Sequence, residues 1–384
     1  MKEGWEYKKL GEIATYINGF PFKPSDWKDN GKPIIRIQNL TNPQSAFNRC
    51  PRTDIPEKYF VSYGDILISW SATLGVFEWT SEDALLNQHI FKVVFDKVAI
   101  NKQYFRYAIM TSISEMSRHT NGATMKHIRK GDFDNIRIPS PSLSEQQSIV
   151  DYLDSAFAKI DMMKANAEKA LNAAKALFQA SLKEMLEPKE GWEEKKIDEI
   201  CTIARGGSPR PIKDYITNDP NGLNWIKIGD TDMGGKYIYS TKEKIKPEGL
   251  KKSRWVEVDE FLLSNSMSFG RPYILKTNGC IHDGWLVLRD YQKYLNIDFF
   301  YYVLSSENVQ RQFRTKAQGS TVSNLNTDRV ASVIIHVPTF EEQQSIVATL
   351  DSLKSKVDRL QENYDKISQE CDALKQALLR LVFE

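Results

Sequence analysis

Cysteine is scarce. Only Cys50, Cys201, Cys280 and Cys371 occur in 384 residues, with no CxxC and no Cys/His cluster of zinc spacing. A disulfide scaffold and a zinc finger are therefore excluded, and reduced thiols are the expectation. Long apolar runs are absent as well. The most hydrophobic stretch, Ile66 to Phe77, is far shorter than the roughly 20 residues a membrane span requires, and it alternates like a strand, so no membrane association is expected. Met1 to Leu10 is polar and charged without an apolar signal core, which points to a cytoplasmic protein. No single charge sign dominates. Lys plus Arg is 52 and Asp plus Glu is 50, a net of +2, which excludes a basic arm or an acidic tail. Near-neutrality leaves nucleic-acid binding open, because phosphate affinity depends on where charge sits rather than on its sum.

Catalytic signatures are also missing. Gly31-Lys32 is followed by Pro33 rather than Ser or Thr, and neither HExxH nor GxSxG appears. His89, His119, His127, His282 and His336 show no metal spacing. A methyltransferase needs an Asn-Pro-Pro-aromatic type of pocket, and the nearest string, Asn218-Asp219-Pro220-Asn221, lacks the second proline and the aromatic. The chain reads as non-catalytic.

What the sequence does contain is itself, twice. Glu3-Gly4-Trp5-Glu6 with Lys8 to Ile13 returns as Glu190-Gly191-Trp192-Glu193 with Lys195 to Ile200, at an offset of 187. Ile35-Arg36-Ile37 returns as Ile226-Lys227-Ile228 at 191, and Ser69 with Gly75 returns as Ser264 with Gly270 at 195. Gly122-Ala123-Thr124 matches Gly319-Ser320-Thr321, and Glu145 to Val150 matches Glu342 to Val347, both at 197. A period near 190 is a whole domain plus a connector. The drift places ten additional residues in loops of the second copy, before Gly319. The copies agree at their ends and at a few turns but differ over most of the interior, which implies equivalent folds with different surfaces.

Within a copy, β-rich runs such as Pro33 to Ile37, Asp65 to Trp70 and Phe91 to Phe95 are punctuated by Gly, Pro, Asn and Asp, with one helix expected from Asn101 to Arg118. Ser142 to Leu186 contains neither Pro nor Gly and predicts a long helix; Phe340 to Val382 does the same in the second copy. Leu350, Leu353, Val357, Leu360, Tyr364, Ile367, Cys371, Leu374, Leu378 and Leu381 form a heptad stripe in the second helix. In the first the stripe is Leu153, Ala156, Ile160, Met163, Ala167, Ala170, Ala174 and Leu177, widened by Phe157, Leu171 and Phe178. These patterns predict an α+β protein of two β-rich heads and two long helices that pair in one antiparallel coiled coil, related by a pseudo-two-fold internal repeat. The boundaries fall at 1–140 and 188–337 for the heads, and at 141–187 and 338–384 for the helices.

Basic residues cluster despite the neutral total. Arg118, Lys126, Arg129 and Lys130 flank Gly122 and Thr124 without an intervening acid, and Arg311, Arg314 and Lys316 precede Gly319 and Thr321. A third cluster, Lys242 to Arg254, carries six cations. A solvated face explains any one of them. Two at matching positions beside a Gly-x-Thr turn suggest phosphate binding by backbone N–H groups and a hydroxyl.

The ordered set of motifs resembles the specificity subunit of type I restriction–modification systems over essentially the whole chain. The resemblance rests on the doubled opening at Gly4 to Ile13 and Gly191 to Ile200, and on Arg205-Gly206-Gly207-Ser208-Pro209 leading to Trp225 to Asp230. It rests further on the Gly-x-Thr turns and the Pro-x-x-x-Glu-Gln-x-x-Ile-Val helix starts. Copy one departs, with Asn18-Gly19-Phe20-Pro21-Phe22-Lys23 leading to Ile34 to Leu40, similar to a variant in the same family. The resemblance implies two target recognition domains, each reading half of a bipartite, asymmetric double-stranded DNA site, with the coiled coil setting the spacer. It implies two modification subunits that bring S-adenosylmethionine and methylate adenine, and restriction subunits that use ATP and Mg; the chain itself would hold no cofactor and no metal.

Candidate DNA contacts follow. For phosphate they are Arg118, Gly122, Thr124, Lys126, Arg129, Lys130 and, in copy two, Arg210, Arg311, Arg314, Lys316, Gly319 and Thr321. For base readout and the glycine turns they are Lys23, Arg36, Gln38, Asn39, Ser69, Ser71, Gly206, Gly207, Ser208, Lys227, Asp230, Ser264 and Ser266, with a structural turn an equal reading for the serine loops. Glu145, Gln146, Gln147, Glu342, Gln343 and Gln344 either cap their helices or contact partner subunits. Two other classes of function compete: a two-headed adaptor for proteins or glycans, and a nuclease or methyltransferase acting alone.

Overall fold

The computed structural model describes residues 5–42, 44–71, 74–119 (backbone alone over 113–119), 130–231, 235–265, 270–317 and 325–383. They fold as two units, Met1–Glu168 with Tyr364–Glu384, and Lys169–Asn363.

The first unit holds two four-stranded sheets and a two-stranded one. The antiparallel sheet runs Thr15–Asn18, Ile90–Val94, Ile66–Ser69, Gly75–Glu78. The other runs Asn48–Cys50, Lys32–Ile35, Ala84–Leu86, Phe60–Val61, its two central strands parallel. Tyr7–Lys9 of the repeated opening pairs with Arg137–Pro139 and closes the domain just before the long helix. Alternating apolar residues put Leu67, Leu86 and Ile90 between the sheets, while Ile66, Ile68, Phe91 and Val93 face helix Lys102–His119.

The second unit repeats this order. Thr202–Arg205, Trp285–Arg289, Phe261–Ser264 and Pro272–Leu275 form one sheet, and Glu243–Ile245, Leu223–Ile226, Gly279–Ile281 and Arg254–Val256 the other. Each sheet gains one edge strand, Tyr237–Ile238 and Ile216–Thr217 respectively. The extra strands lie where the repeat offset steps from 187 to 191 and from 191 to 195. The segments that carry these two-residue strands thus hold eight of the ten added residues, so the additions are not loop alone, as expected from sequence, but also widen the sheets.

The Pro- and Gly-free stretches form helices Leu143–Met185 and Phe340–Phe383. In each unit their segments run antiparallel: Cys371 Sγ lies 3.7 Å from the Ile160 carbonyl in the first unit, and Lys175 Nζ donates to Gln361 Oε1 at 2.8 Å in the second. Two details of the expected seam are corrected. Met163 and Leu177 are 58% exposed and Ala170 is exposed, whereas the buried and half-buried row is Leu153, Phe157, Ile160, Lys164, Ala167, Leu171, Ala174 and Phe178. The repeat is heptad, but one of its two rows sits a residue later, because Phe157, Leu171 and Phe178 bury more apolar surface than the alanines and methionine beside them. In the second helix the stripe holds through Cys371, after which Leu374 and Leu381 turn outward and Leu379, Val382 and Phe383 go in. That last segment packs on the first unit's core, where Phe383 meets Tyr104 with ring centroids 5.4 Å apart, and a domain face takes the 3.6-residue period rather than 3.5.

Each helix starts identically. Ser142 and Glu145 form a capping box, with the Ser142 N–H donating to Glu145 Oε2 at 3.1 Å and the Glu145 N–H to Ser142 Oγ at 3.3 Å; Thr339 and Glu342 repeat it at 3.1 and 3.3 Å. The middle glutamine is a strut. Gln146, 1% exposed, accepts from the Asn101 N–H at 2.9 Å and donates to the Pro141 carbonyl at 2.8 Å. Gln343, fully buried, accepts from the Asn296 N–H at 2.7 Å and donates to the Pro338 and Tyr294 carbonyls, both at 3.0 Å. Asn101 and Asn296 in turn cap the helices that start at Lys102 and Ile297. Tyr107 to Asp154 and Tyr302 to Asp351 at 2.5 Å add a second tie between domain helix and long helix.

Gln146 and Gln343 are therefore not partner contacts, because burial consumes both carboxamides. Gln146→Ala and Gln343→Ala strand buried backbone groups and are expected to cost about 1–3 kcal/mol each in urea unfolding. Gln147→Ala and Gln344→Ala, at exposed positions, should stay within about 0.5 kcal/mol.

Candidate nucleic-acid interface

The site is built on one turn that both copies share. A Cβ at Gly19 would stand 2.0 Å from the Asn87 carbonyl oxygen, and one at Gly206 would stand 2.1 Å from that of His282. Only glycine lets this turn lie against the neighbouring strand end. Although Asn18-Gly19-Phe20-Pro21 and Arg205-Gly206-Gly207-Ser208 look different as strings, they are the same structural turn. Gly207 is nearly as restricted, with a Cβ falling 2.8 Å from the Lys252 carbonyl oxygen.

Behind the turn, strands Lys32–Ile35 and Leu223–Ile226 end at Arg36 and Lys227. Each N–H is capped three residues on: Arg36 by Asn39 Oδ1 at 3.0 Å, Lys227 by Asp230 Oδ2 at 2.8 Å. Asn39 also donates to the Ser45 and Ala46 carbonyls and is 7% exposed, and Asp230 Oδ1 accepts from the Lys242 N–H at 3.1 Å. Both capping side chains organise their turns rather than present edges to a ligand, contrary to the base-readout expectation. The flanking residues are half-buried and paired at corresponding positions: Arg36 Nη1 to Asn48 Oδ1 at 3.3 Å, Lys227 Nζ to Glu243 Oε1 at 2.5 Å. Arg36 also sits 5.0 Å over the Trp27 ring. Gln38 and Lys23 are exposed.

In the second unit a hydrogen-bond chain draws these pieces to one edge. Ser208 Oγ donates to Asp283 Oδ1 at 2.7 Å, Asn265 Nδ2 to the Asp283 carbonyl at 2.8 Å, and the Leu325 N–H to the Asn265 carbonyl at 3.0 Å. The glycine turn, the end of strand Phe261–Ser264 and the residue that follows 318–324 thus meet. Beside them opens a cleft of about 800 Å3, lined by Ser208 to Ile212, Ile216, Trp225, Lys227, Glu243, His282 and Asp283. The Ser208 hydroxyl holds the Asp283 carboxyl below the usual carboxylate range. Burial pushes the His282 imidazole below its ordinary value. The equivalent edge of the first unit carries Trp70, whose Nε1 donates to Asn18 Oδ1 at 3.2 Å and whose ring stacks on Phe91 at 5.6 Å.

The serine loops resolve toward the structural reading. Ser264 is fully buried and its Oγ accepts from the Arg271 N–H at 3.1 Å; Ser69 is fully buried and Ser71 is 7% exposed. Helix Glu307–Ala317 carries Arg311, exposed, Arg314, half-exposed and paired to Glu307, and Lys316. It reaches the strand end through Gln310 Nε2, which donates to the Gly270 carbonyl at 2.6 Å. Lys130 opens helix Lys130–Asp134 and is exposed. Gly122, Thr124, Lys126, Arg129, Ser266, Gly319 and Thr321 lie outside the described residues, as does the Arg118 side chain. The third basic cluster is largely spent internally: Lys242, Lys244 and Lys246 donate to the carbonyls of Gly229, Pro220 and Asp214 at 2.9, 2.6 and 2.7 Å.

Trp225, His282 and Asp283 were missed as site residues, whereas Asn265 belongs to the polar loop Ser264-Asn265-Ser266 expected to read bases. Continuing the 195 offset past Ser69 and Ser264 would have set His282-Asp283 opposite Asn87-Gln88 and Asn265 opposite Trp70. For His282 the neutral form is favoured by folding, so the unfolded chain binds more protons and stability falls as pH drops below about 6.5. Replacing it with Gln should flatten that part of the stability–pH curve, as followed by thermal unfolding.

Comparison with known proteins agrees with this reading. The family model described as type I restriction modification DNA specificity domain matches residues 2–173 and again 189–369. The specificity subunit of the type I restriction enzyme EcoBI from Escherichia coli is 24% identical, covering 100% of this chain and 86% of the relative. That of MjaVIII from Methanocaldococcus jannaschii is 23% identical, covering 100% and 92%. A chain solved in work on complex assembly and conformational transition of the type I R-M system has the same fold at a TM-score of 0.77 and 18% identity, covering 99% of this chain and 97% of that one. The HsdS subunit from Thermoanaerobacter tengcongensis matches at 0.58 and 17%, covering 100% and 97%. With the specificity-domain model matched twice over most of its length, the chain belongs to the family of type I restriction–modification DNA specificity subunits.

Proposed function

We propose that each unit reads one half of a bipartite, asymmetric double-stranded DNA sequence, and that the paired long helices set the unread spacer between the halves. The observation that carries this is one scaffold used twice with unlike chemistry at matching edge positions. Arg36 with Asn48 stands where the second unit has Lys227 with Glu243, Asn87-Gln88 where it has His282-Asp283, and Trp70 where it has Asn265. Invariant scaffolding with divergent edges is what reading two different half-sites requires, since base edges specify while phosphates position. Two linked heads also raise affinity through effective concentration.

In this reading the chain itself is non-catalytic and works in the cytoplasm. Two modification subunits bring S-adenosylmethionine and methylate an adenine in each half, and restriction subunits supply ATP- and Mg-dependent cleavage. Exposed cations such as Lys130, Arg210 and Arg311 serve phosphate contact. The likeness to specificity subunits over the whole chain disfavours the alternative of a two-headed adaptor for proteins or glycans.

The reading is checked by the methylome of a host that expresses this chain with its modification partner. A gapped adenine motif should be present and should vanish when the chain is deleted; an unchanged methylome would refute it. The assembled complex should also lose DNA affinity by roughly 10³ between 50 and 200 mM salt, as a binder contacting several phosphates does. Salt-insensitive binding would contradict phosphate contact.

A further inference from the structure

Among the residues at the second unit's cleft, Asp283 is a carboxylate on a face assigned to DNA. Arg205 Nε lies 3.2 Å from its carbonyl oxygen and Arg210 Nη2 lies 3.5 Å from Oδ2, while Lys227, which lines the same cleft, is paired with Glu243. A carboxylate on a face that approaches DNA repels phosphates. It is tolerated at such a face when something other than phosphate meets it.

We propose that Asp283 is a specificity-determining residue of the second unit, its carboxylate accepting from the exocyclic amino group of one cytosine or adenine in the major groove, with Ser208 as its positioning residue. The proposal rests on the reading of this unit as the reader of one half-site. Three features point to it. The backbone of Asp283 is held from two sides, by Arg205 and by Asn265 Nδ2 at 2.8 Å, so the side chain keeps a fixed origin. The Ser208 hydroxyl at 2.7 Å occupies Oδ1 and leaves Oδ2 as the outward acceptor. The carboxylate is 42% exposed; His282 Nδ1 lies 3.7 Å from Oδ1, and Arg210, 81% exposed, stands at the outer limit of hydrogen bonding to Oδ2. An exposed pair of that geometry contributes little, so Arg210 can turn to a phosphate without cost.

The chemistry then sorts bases. In the major groove cytosine N4 and adenine N6 donate, whereas guanine O6 and N7 and thymine O4 accept. A fixed carboxylate therefore welcomes an amino group and repels a carbonyl. At the equivalent position the first unit has Gln88, whose carboxamide both donates and accepts, so the same place in the other half would read by different rules.

The test uses the full chain assembled with its modification partner. Binding is measured on the wild-type motif and on probes in which each cytosine of the second unit's half-site is replaced by 2-pyrimidinone, or each adenine by purine, which removes the amino group alone. The wild-type complex should lose about 10- to 100-fold in affinity at one position, and that position identifies the base as cytosine or adenine. Asp283→Ala should abolish the sensitivity there while leaving discrimination in the other half-site intact, and Ser208→Ala should weaken it. Intact reading of the other half reports that the variant is folded and assembled. If Asp283→Ala fails to assemble, the wild-type probes still decide, because a half-site with no amino-sensitive position overturns the proposal. It is equally overturned if Asp283→Ala keeps the wild-type sensitivity, or tightens binding to all sequences equally. A wild-type complex that shows no gapped motif at all sinks the reading beneath it instead.

Discussion

One buried carboxamide at the start of each long helix governs how that helix leaves its domain. Gln146 and Gln343 each join backbone groups that would otherwise be stranded away from water, a domain-helix N–H and the proline carbonyl five residues upstream, with the Tyr294 carbonyl added for Gln343. An unsatisfied buried group costs about 1–3 kcal/mol, whereas the exposed ion pairs between the helix segments, such as Lys164 with Asp372, contribute about 0–1 kcal/mol. The glutamines set the helix direction and the ion pairs adjust it. In Glu-Gln-Gln-Ser-Ile-Val, the closest match between the copies, the Glu caps, the first Gln struts and the Ile and Val pack, while the second Gln and the Ser are exposed.

The divergent part of each unit obeys the opposite rule. At the sheet edge, position is fixed by glycine and by backbone caps, and the side chains standing between those fixed points are free to differ. Arg36 with Asn48 and Lys227 with Glu243 keep a pairing at one position of the scaffold, at 3.3 and 2.5 Å, while exchanging a neutral partner for a charged one. A scaffold that holds its edge by backbone contacts tolerates replacement of the side chains between them without refolding.

Much of this was legible in the sequence and some was not, for identifiable reasons. The doubled motifs and the absence of Pro and Gly located both long helices to within a residue or two, because breakers act locally. The seam of the first helix was read one residue early on one row, since Met163 and Ala170 satisfy a heptad as well as Lys164 and Leu171 do; only burial separates them, and at the start of the row Ala156 and Phe157 are both half-buried. Leu374 and Leu381 keep the period but face outward, because the final segment meets a domain rather than a helix alone. The Lys242 to Lys246 cations looked available, yet they bind backbone carbonyls, a use that composition cannot reveal. Asn39 and Asp230 looked like readers for the same reason that makes them caps: short polar side chains at a strand end. Asp283 carried no motif at all and emerged only from the turn that surrounds it.

The central claim is that the two units read separate halves of one site. Exchanging residues 1–140 for the recognition domain of a relative with a different target, and sequencing the methylome of a host carrying the hybrid with its modification partner, tests it most directly. The account predicts a motif with one half replaced while the other half and the gap are retained. A motif altered in both halves, or in neither, would contradict it.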